Sequence, residues 1–203
     1  LVYLLQECNK NNINNFIFSS SCTVYGEPDS LPINEAAPVK KATSPYGYTK
    51  QVGEEIVEQS AAAGIFNATL LRYFNPVGAH PKGHIGELPI GKPANLVPAI
   101  TQTAIGKLPQ MQVFGNDYPT PDGTCLRDYV HVDDLSRAHI AACTRLDAPG
   151  TQLFYNLGTG RPTSNREVIA AVEEITGRPV RVVESPRRAG DPPALFADSA
   201  KAR

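Results

Sequence analysis

Two short apolar segments, one on each side of a helix-forming segment, constrain most strongly what this chain can fold into. Residues 15–18 are mostly apolar and lead into the serine run 19–21, a pattern typical of a buried strand that opens into a polar loop. Residues 68–73 form a second predicted buried strand. Between them, residues 45–63 are predicted to form a helix that stops at Gly64. Strand, helix and strand in this order predict one crossover of a parallel sheet.

A tyrosine and a lysine near the start of that predicted helix form a candidate catalytic pair. Tyr46 and Lys50 are four residues apart, so a helix places both side chains on one face. A nearby ammonium favours the ionised form of a phenol, which would allow Tyr46 to act as a base. The serine run 19–21 follows the preceding strand, and ligands bind just beyond the carboxyl ends of strands in open α/β sheets. The competing interpretation is a solvated pair on a helix surface, and the strand and serine run before the helix favour the catalytic one.

Composition and charge exclude several classes of protein. The chain has 203 residues, of which 41% are hydrophobic, enough for one or two compact units with a sizeable core. Its net charge of -1 and its pI of about 6.5 provide no overall field that would attract nucleic acid or an anionic membrane. No apolar run is long enough to span a membrane and no signal peptide opens the chain, so a cytoplasmic protein is expected.

Cysteine and histidine spacing indicates neither a disulfide framework nor a metal site. The four cysteines are widely separated and form no Cys-x-x-Cys pair, so reduced thiols are expected. The histidines His80, His84, His131 and His139 do not group at metal-ligand spacing. Structural roles are therefore predicted for them, and no metal is expected.

The rest of the chain contains more and shorter predicted elements. Prolines and glycines concentrate between residues 76 and 93, which predicts a long functional loop leading into a second region. Helices are predicted over residues 96–105 after Asn95 as cap, from a cap at 132–134 to about Leu146, and from Ser164 to Gly177 with Glu167 completing a capping box. Strands are predicted over residues 111–114, 129–132, 153–157 and 180–183.

Ser21, Tyr46 and Lys50, with the strand before them, resemble the catalytic triad of the extended short-chain dehydrogenase/reductase superfamily. Residues 71–80, 114–120 and 127–132 resemble in particular segments of the UDP-glucose 4-epimerase family, and the similarity covers nearly all of the chain. The resemblance implies an α/β fold, with residues 1–77 as the C-terminal half of an NAD-binding Rossmann-type parallel sheet. Residues 78–203 would form a smaller α/β domain that binds the UDP-sugar, with strands near 129–132 and 153–157 returning to the Rossmann sheet.

The resemblance implies reversible epimerisation of UDP-glucose and UDP-galactose at C4, through a transient 4-keto sugar and with tightly bound NAD as cofactor. In this scheme Tyr46 takes the proton of the 4-hydroxyl and Ser21 hydrogen-bonds the same oxygen. Lys50 binds the nicotinamide ribose, and Phe74 lies near the nicotinamide. The expected NAD contacts are therefore Ser21, Tyr46, Lys50 and Phe74.

The resemblance also assigns residues to the UDP-sugar. Arg127 and Arg188 would bind the phosphates, for which a guanidinium offers bidentate, charge-assisted bonds, and Asp191 would bind a ribose hydroxyl. Leu195 falls where the family has a gate residue beside the sugar C2 substituent, and its intermediate size predicts a preference for the plain hexoses with some turnover of N-acetylated sugars. The full predicted set is Ser21, Thr23, Tyr46, Asn75, Asn95, Leu96, Gln112, Phe114, Arg127, Arg188, Asp191 and Leu195.

Two other functions stay open. Cys22 and Thr23 occupy the place where nucleotide-sugar dehydratases have an aspartate-glutamate pair and decarboxylases a glutamate, which counts against both of those activities. The first alternative is a UDP-N-acetylglucosamine 4-epimerase or another NAD-dependent nucleotide-sugar enzyme on the same scaffold. The second is a non-catalytic nucleotide-sugar-binding protein, which would not need an intact Ser-Tyr-Lys triad.

The glycine-rich turn that holds a dinucleotide pyrophosphate is not found in these residues. In the family this turn lies in the first strand–helix unit, so the chain is expected to be a fragment of a longer, homodimeric enzyme. The isolated 203 residues are therefore predicted to bind NAD poorly.

Overall fold

A computed structural model describes residues 1–145 and 151–203 as a mixed α/β structure. The helices are α1 (Val2–Lys10), α2 (Pro45–Ala62), α3 (Leu96–Ala104), α4 (Val132–Cys143) and α5 (Asn165–Thr176). The strands are β1 (Asn15–Ser21), β2 (Asn67–Tyr73), β3 (Asn75–Val77), β4 (Met111–Phe114), β5 (Leu126–His131), β6 (Gln152–Leu157), β7 (Pro162–Ser164), β8 (Val182–Ser185) and β9 (Ala194–Leu195). None of the described helices is both long and apolar enough to cross a lipid bilayer.

The first sheet has the strand order β1-β2-β6, and both pairings are parallel. Helix α2 connects β1 to β2, which confirms the predicted strand–helix–strand unit. Ser21 lies opposite Tyr73, and Tyr73 lies opposite Leu157. The three serines belong to β1 itself and not to the loop after it, because their main chains pair with residues 71–73 of β2. The carboxyl ends of the three strands therefore meet at one edge.

The strand predicted near residues 129–132 was expected to return to this first sheet, and that expectation is wrong. The strand is β5, and it pairs with β3, β7 and β9 in a second sheet. The pairing changes just after β2. The Phe74 N–H still donates to the Leu157 carbonyl of β6 at 3.0 Å. The next three residues form β3 and pair with β5, so β5 belongs to the second sheet. Strand β6 joins the first sheet, as predicted. The division of the chain into domains at residues 77 and 78 stays a prediction.

The helix caps are partly as predicted. The capping box of α5 is present, with Ser164 and Glu167 each bonding the other's main chain. Asn95 precedes α3, but its side chain donates to Glu87 Oε1 at 2.7 Å and not to the helix. His131 is the cap of α4, since its Nδ1 accepts from the Asp133 N–H at 3.1 Å. The predicted end of this helix, Leu146, lies outside the described residues.

The smaller strands differ most from the predictions. Strand β8 begins two residues later than predicted and pairs in parallel with β4 as a separate two-stranded sheet. Strands β7 and β9 have three and two residues and were not predicted, because so few residues cannot show an alternation of apolar and polar side chains. Both lie on β5, so their extended conformation depends on a partner that is distant in sequence.

Candidate active site

The three predicted catalytic residues lie at the carboxyl edge of β1. Pro45 is the first residue of α2, and the Ser44 Oγ caps the helix by accepting from the Gly47 N–H at 3.1 Å, so Tyr46 lies in the first turn. The Lys50 Nζ lies 5.5 Å from the centroid of the Tyr46 ring and donates to the Ser19 carbonyl at 2.9 Å. The Tyr46 side chain is accessible, with the residue 56% exposed. The lysine thus bridges the end of β1 and the face of the tyrosine.

Close packing joins the start of α2 to the residues after β1. A Cβ atom added at Gly47 would lie 3.2 Å from the Thr23 carbonyl oxygen, so only a residue without a side chain fits there comfortably. Thr23 in turn is tied to Ser21, because its Oγ1 donates to the Ser21 Oγ at 3.0 Å and its N–H approaches the same oxygen at 3.3 Å. This packing places Thr23 between Ser21 and the first turn of α2.

A cavity of about 390 Å³ contains most of the residues predicted to bind the nucleotide. The predicted residues in its wall are Asn75, Asn95, Leu96, Gln112, Phe114, Arg127, Arg188 and Asp191. They come from β3, α3, β4, β5 and the loop before β9, so the fold gathers segments more than 100 residues apart. Lys92, Cys125, Tyr129 and Asn165 also line this cavity and were not predicted. The concentration of prolines and glycines indicated the loop that carries Lys92, but nothing in the sequence singled out the residue.

The charged groups of this cavity favour an anionic ligand. Asp191 faces two guanidiniums, with its oxygens 3.5 Å from Arg127 Nη2 and 3.4 Å from Arg188 Nε. Arg127 Nη1 also donates to the carbonyls of Leu126 and Pro192, which fixes the guanidinium in the wall. With Lys92, three cations and one carboxylate line the cavity, so its charge is net positive. Fixed guanidiniums of this kind suit phosphate oxygens.

The loop that carries these charges contacts the segment before α2. Gly190 has φ of +81°, and a Cβ atom there would lie 2.8 Å from the Thr43 carbonyl oxygen. Thr43 is three residues before Tyr46. The loop that carries Arg188 and Asp191 is therefore packed against the residues just before Tyr46.

Phe74 and Leu195 lie in the core between the two parts of the site. Both are buried in one hydrophobic cluster with Cys22. Because Cys22 follows Ser21 and Phe74 precedes Asn75, this cluster supports the strand edge on one side and the cavity on the other. The predicted roles of Phe74 beside the nicotinamide and of Leu195 beside the sugar stay predictions.

Two other tyrosines near the site are more buried than Tyr46. Desolvation raises the pKa of Tyr129 to about 12, against the effect of Arg127. Burial also raises the pKa of Tyr73, whose hydroxyl is 2.7 Å from both Ser19 Oγ and His139 Nε2. Tyr129 and Tyr73 are therefore harder to ionise than a free tyrosine, whereas Tyr46 is exposed.

The histidines have structural surroundings. His139 Nδ1 contacts the Leu135 carbonyl at 2.7 Å, and His131 caps α4. His80 and His84 contact each other through their rings, with centroids 5.2 Å apart. Across residues 1–145 and 151–203, no cluster of three or more His, Cys, Asp or Glu side chains is arranged to hold a metal ion.

The fold is α/β with a parallel sheet, and the candidate site comprises Ser21, Tyr46 and Lys50 near the end of β1 and a separate cationic cavity. Residues 1–158 match the NAD dependent epimerase/dehydratase family, and the chain belongs to this family.

Individual relatives agree with this assignment. The UDP-glucose 4-epimerase of Bifidobacterium longum is 49% identical over 187 residues, which are 92% of this chain and 55% of the relative. The UDP-glucose 4-epimerase of Bacillus subtilis is 48% identical over 202 residues, covering 98% of this chain and 59% of the relative. The crystal structure of the Bifidobacterium longum enzyme in complex with NAD+ and UDP superposes with a TM-score of 0.94 at 47% identity, covering 99% of this chain and 60% of that one. The chain thus spans somewhat more than half the length of these relatives.

Proposed function

We propose that the gene product containing this chain interconverts UDP-glucose and UDP-galactose by epimerisation at C4. The observation that carries the proposal is the packing of the loop that holds Arg188 and Asp191 of the cationic cavity against Thr43, three residues before Tyr46. A UDP-sugar with its phosphates in the cavity would direct its hexose toward Tyr46. The relatives named UDP-glucose 4-epimerase, at 48–49% identity, support the same activity.

The residues at the strand edge would act on the sugar 4-hydroxyl. Tyr46 would accept its proton as the C4–H bond breaks, since its hydroxyl is accessible. The Ser21 hydroxyl, which accepts from Thr23, retains its own proton to donate to the same sugar oxygen. The Lys50 ammonium would stabilise the phenolate from its position against the Tyr46 ring. The configuration at C4 would invert when the 4-keto sugar turns and the hydride returns to its opposite face, while Tyr46 gives the proton back to the 4-oxygen.

NAD fits the donors present at this edge. Ser21 ends β1, the Lys50 ammonium bonds the Ser19 carbonyl and lies against the Tyr46 ring, and dinucleotides usually bind where the strands of such sheets end. When bound there, NAD would supply the hydride acceptor and donor for C4. Lys50 would hold the nicotinamide ribose, and Phe74 would support the ring from the core cluster.

The cavity would hold the UDP portion of the substrate. Arg127 and Arg188 would bind the pyrophosphate, and Asp191, already between them, would take a ribose hydroxyl. Asn75, Asn95, Leu96, Gln112 and Phe114 would surround the uridine. A cytoplasmic location and a homodimeric assembly are part of the same proposal, and size-exclusion chromatography of the gene product tests the assembly.

The Tyr46→Phe variant of the gene product tests the chemistry. Loss of the proton acceptor should lower kcat for UDP-galactose by a factor on the order of 10² to 10⁴. Tyr48→Phe is the matched control, because Tyr48 lies on the same helix turn and is 63% exposed. Turnover is measured by chromatographic separation of the two UDP-hexoses without added NADH. Normal turnover by Tyr46→Phe would contradict the proposal.

The same assay separates the alternatives. If UDP-N-acetylglucosamine is turned over as fast as UDP-glucose, the N-acetylhexosamine epimerase is favoured. That result would contradict the preference for plain hexoses inferred from Leu195. Product formed only with added NADH would indicate a nucleotide-sugar reductase. Tight binding of UDP-sugar with no product and no reduction of NAD would indicate a binding protein.

A further inference from the structure

A buried ion pair lies directly below the catalytic edge. The side chains of Glu54 and Arg72 are only 4% and 5% exposed. Arg72 Nε donates to Glu54 Oε1 at 2.9 Å and Nη2 donates to Oε2 at 2.6 Å, so the pair is bidentate. Desolvation opposes the charge on Arg72, yet the bonds to Glu54 raise its pKa, so the guanidinium stays ionised. This pair joins α2 to β2 in the interior of the molecule.

Further hydrogen bonds connect the pair to the neighbouring strands. The Ser20 hydroxyl donates to Glu54 Oε1 at 2.5 Å, which adds β1 to the network. Arg72 Nη1 donates to the Tyr25 hydroxyl at 3.0 Å, and that hydroxyl donates to Asn156 Oδ1 at 2.7 Å. The network thus connects β1, β2, β6 and α2 through buried side chains.

The residues of this network lie next to the proposed catalytic residues along α2 and β1. Glu54 is four residues after Lys50 and eight after Tyr46, so all three lie along one side of α2. Ser20 directly precedes Ser21, and neighbouring side chains of a strand point to opposite faces, so Ser20 bonds Glu54 while Ser21 accepts from Thr23. Two hydrogen bonds therefore connect α2 to neighbouring residues of β1, one from Lys50 to the Ser19 carbonyl and one from Ser20 to Glu54.

Stability alone does not account for such a pair. Moving two charges out of water is costly, and apolar residues of similar volume often stabilise a core as well or better. A bidentate pair that also accepts from Ser20 instead fixes one distance and one rotation of α2 relative to β1. Misplacement of reacting groups by about 1 Å can cost a factor of about 100 in rate.

We propose that Glu54, with Arg72 and Ser20, is a positioning residue that sets the placement of Tyr46 and Lys50 relative to Ser21. It touches neither substrate nor cofactor and acts through the helix that carries them. This inference rests on the proposed epimerase function for its kinetic readout, although the placement of α2 can be measured without it.

The test compares single and paired substitutions in the gene product. Glu54→Leu alone should destabilise it strongly, since it leaves the buried Arg72 charge unpaired. Glu54→Leu with Arg72→Met removes both charges and should recover the Tm. We expect the paired variant to keep KM for UDP-galactose within about twofold but to lose roughly 10- to 100-fold in kcat. If kcat recovers together with Tm, the pair is only structural and the proposal is wrong.

Ser20→Ala is a milder variant that folds if the paired one does not. It removes one buried hydrogen bond to Glu54, and kcat should fall about 5- to 10-fold. Ser60→Ala is the matched control, because the Ser60 Oγ donates only within α2, to the Ile56 carbonyl at 2.7 Å. If the kcat of Ser20→Ala is no lower than that of Ser60→Ala, the proposal is wrong.

Amide hydrogen exchange separates this proposal from the epimerase function. In the paired variant and in Ser20→Ala, protection of residues 47–50 should fall although Tm is near normal. If the unmodified gene product does not turn over UDP-hexoses, the proposed function fails and exchange alone decides the positioning role. Unchanged protection in both variants would then refute it.

Discussion

The side chains around Ser21 show how strongly burial controls reactivity at single residues. Cys22 follows Ser21 and lies in the core with Phe74 and Leu195. Burial raises the pKa of its thiol to about 12, against the opposing effect of Arg127. A thiol that stays protonated is a weak nucleophile, and Cys22 packs in the core as an apolar side chain.

Thiol labelling tests this environment. All four cysteines are free, and Cys143 is the exposed one, whereas Cys8, Cys22 and Cys125 are buried. We expect an aromatic disulfide reagent at pH 8 to label Cys143 rapidly and the other three only as fast as the protein opens. Cys143→Ser should abolish the fast phase. Rapid labelling of Cys22 in that variant would contradict the buried environment.

At the scale of an element, the start of α5 depends on more than its capping box. The Ser164 Oγ accepts from the Glu167 N–H and also donates to Asp122 Oδ2. Asp122 accepts from the Thr124 N–H and hydroxyl, both at 2.8 Å. The capping box is visible in the sequence because Ser164 and Glu167 are three residues apart, but Asp122 is 42 residues away. The helix start is thereby fixed to the loop before β5.

The pKa of Asp122 predicts a pH dependence of stability. Burial opposes its ionisation, but the donors Ser164 and Thr124 outweigh burial and lower the pKa. Because the native pKa is below the unfolded value of about 3.9, this stabilisation is complete above that value and is lost as pH falls through the native pKa. Asp122→Asn should therefore lower Tm at pH 7, and the difference from the parent should shrink below pH 4. A constant difference down to pH 2 would exclude this linkage.

Across the whole molecule, one buried carboxylate connects the two larger sheets. Asp128, on β5, is fully buried and accepts from the Thr159 N–H and hydroxyl at 2.7 Å, the Gly160 N–H at 2.9 Å and the Ala197 N–H at 3.0 Å. Residues 158–160 follow β6 of the first sheet, and Ala197 follows β9 of the second. Asp128 also accounts for the glycine at position 158, because a Cβ atom there would lie 2.4 Å from Asp128 Oδ2.

Asp128→Asn tests this connection. The amide presents donors where backbone N–H groups point, so we expect a loss of about 2–4 kcal/mol in the free energy of unfolding by urea. Asp198→Asn is the control, because Asp198 Oδ1 accepts one local bond from the Ala200 N–H. A loss at Asp128 no larger than at Asp198 would mean that the carboxylate does not hold the sheets together.

Three features could be predicted from the linear sequence: the β1–α2–β2 unit, the placement of Tyr46 and Lys50 on one helix face, and the capping box of α5. Each of these depends on apolar periodicity or on residues a few positions apart, which a linear pattern records. Three others became visible only in the folded chain: β5 lies outside the first sheet, Asn75 and Asp191 line one cavity, and Glu54 bonds Arg72 and Ser20. These features depend on hydrogen bonds and buried charges between residues that are distant along the chain. A local sequence pattern does not record which distant residues the fold brings together.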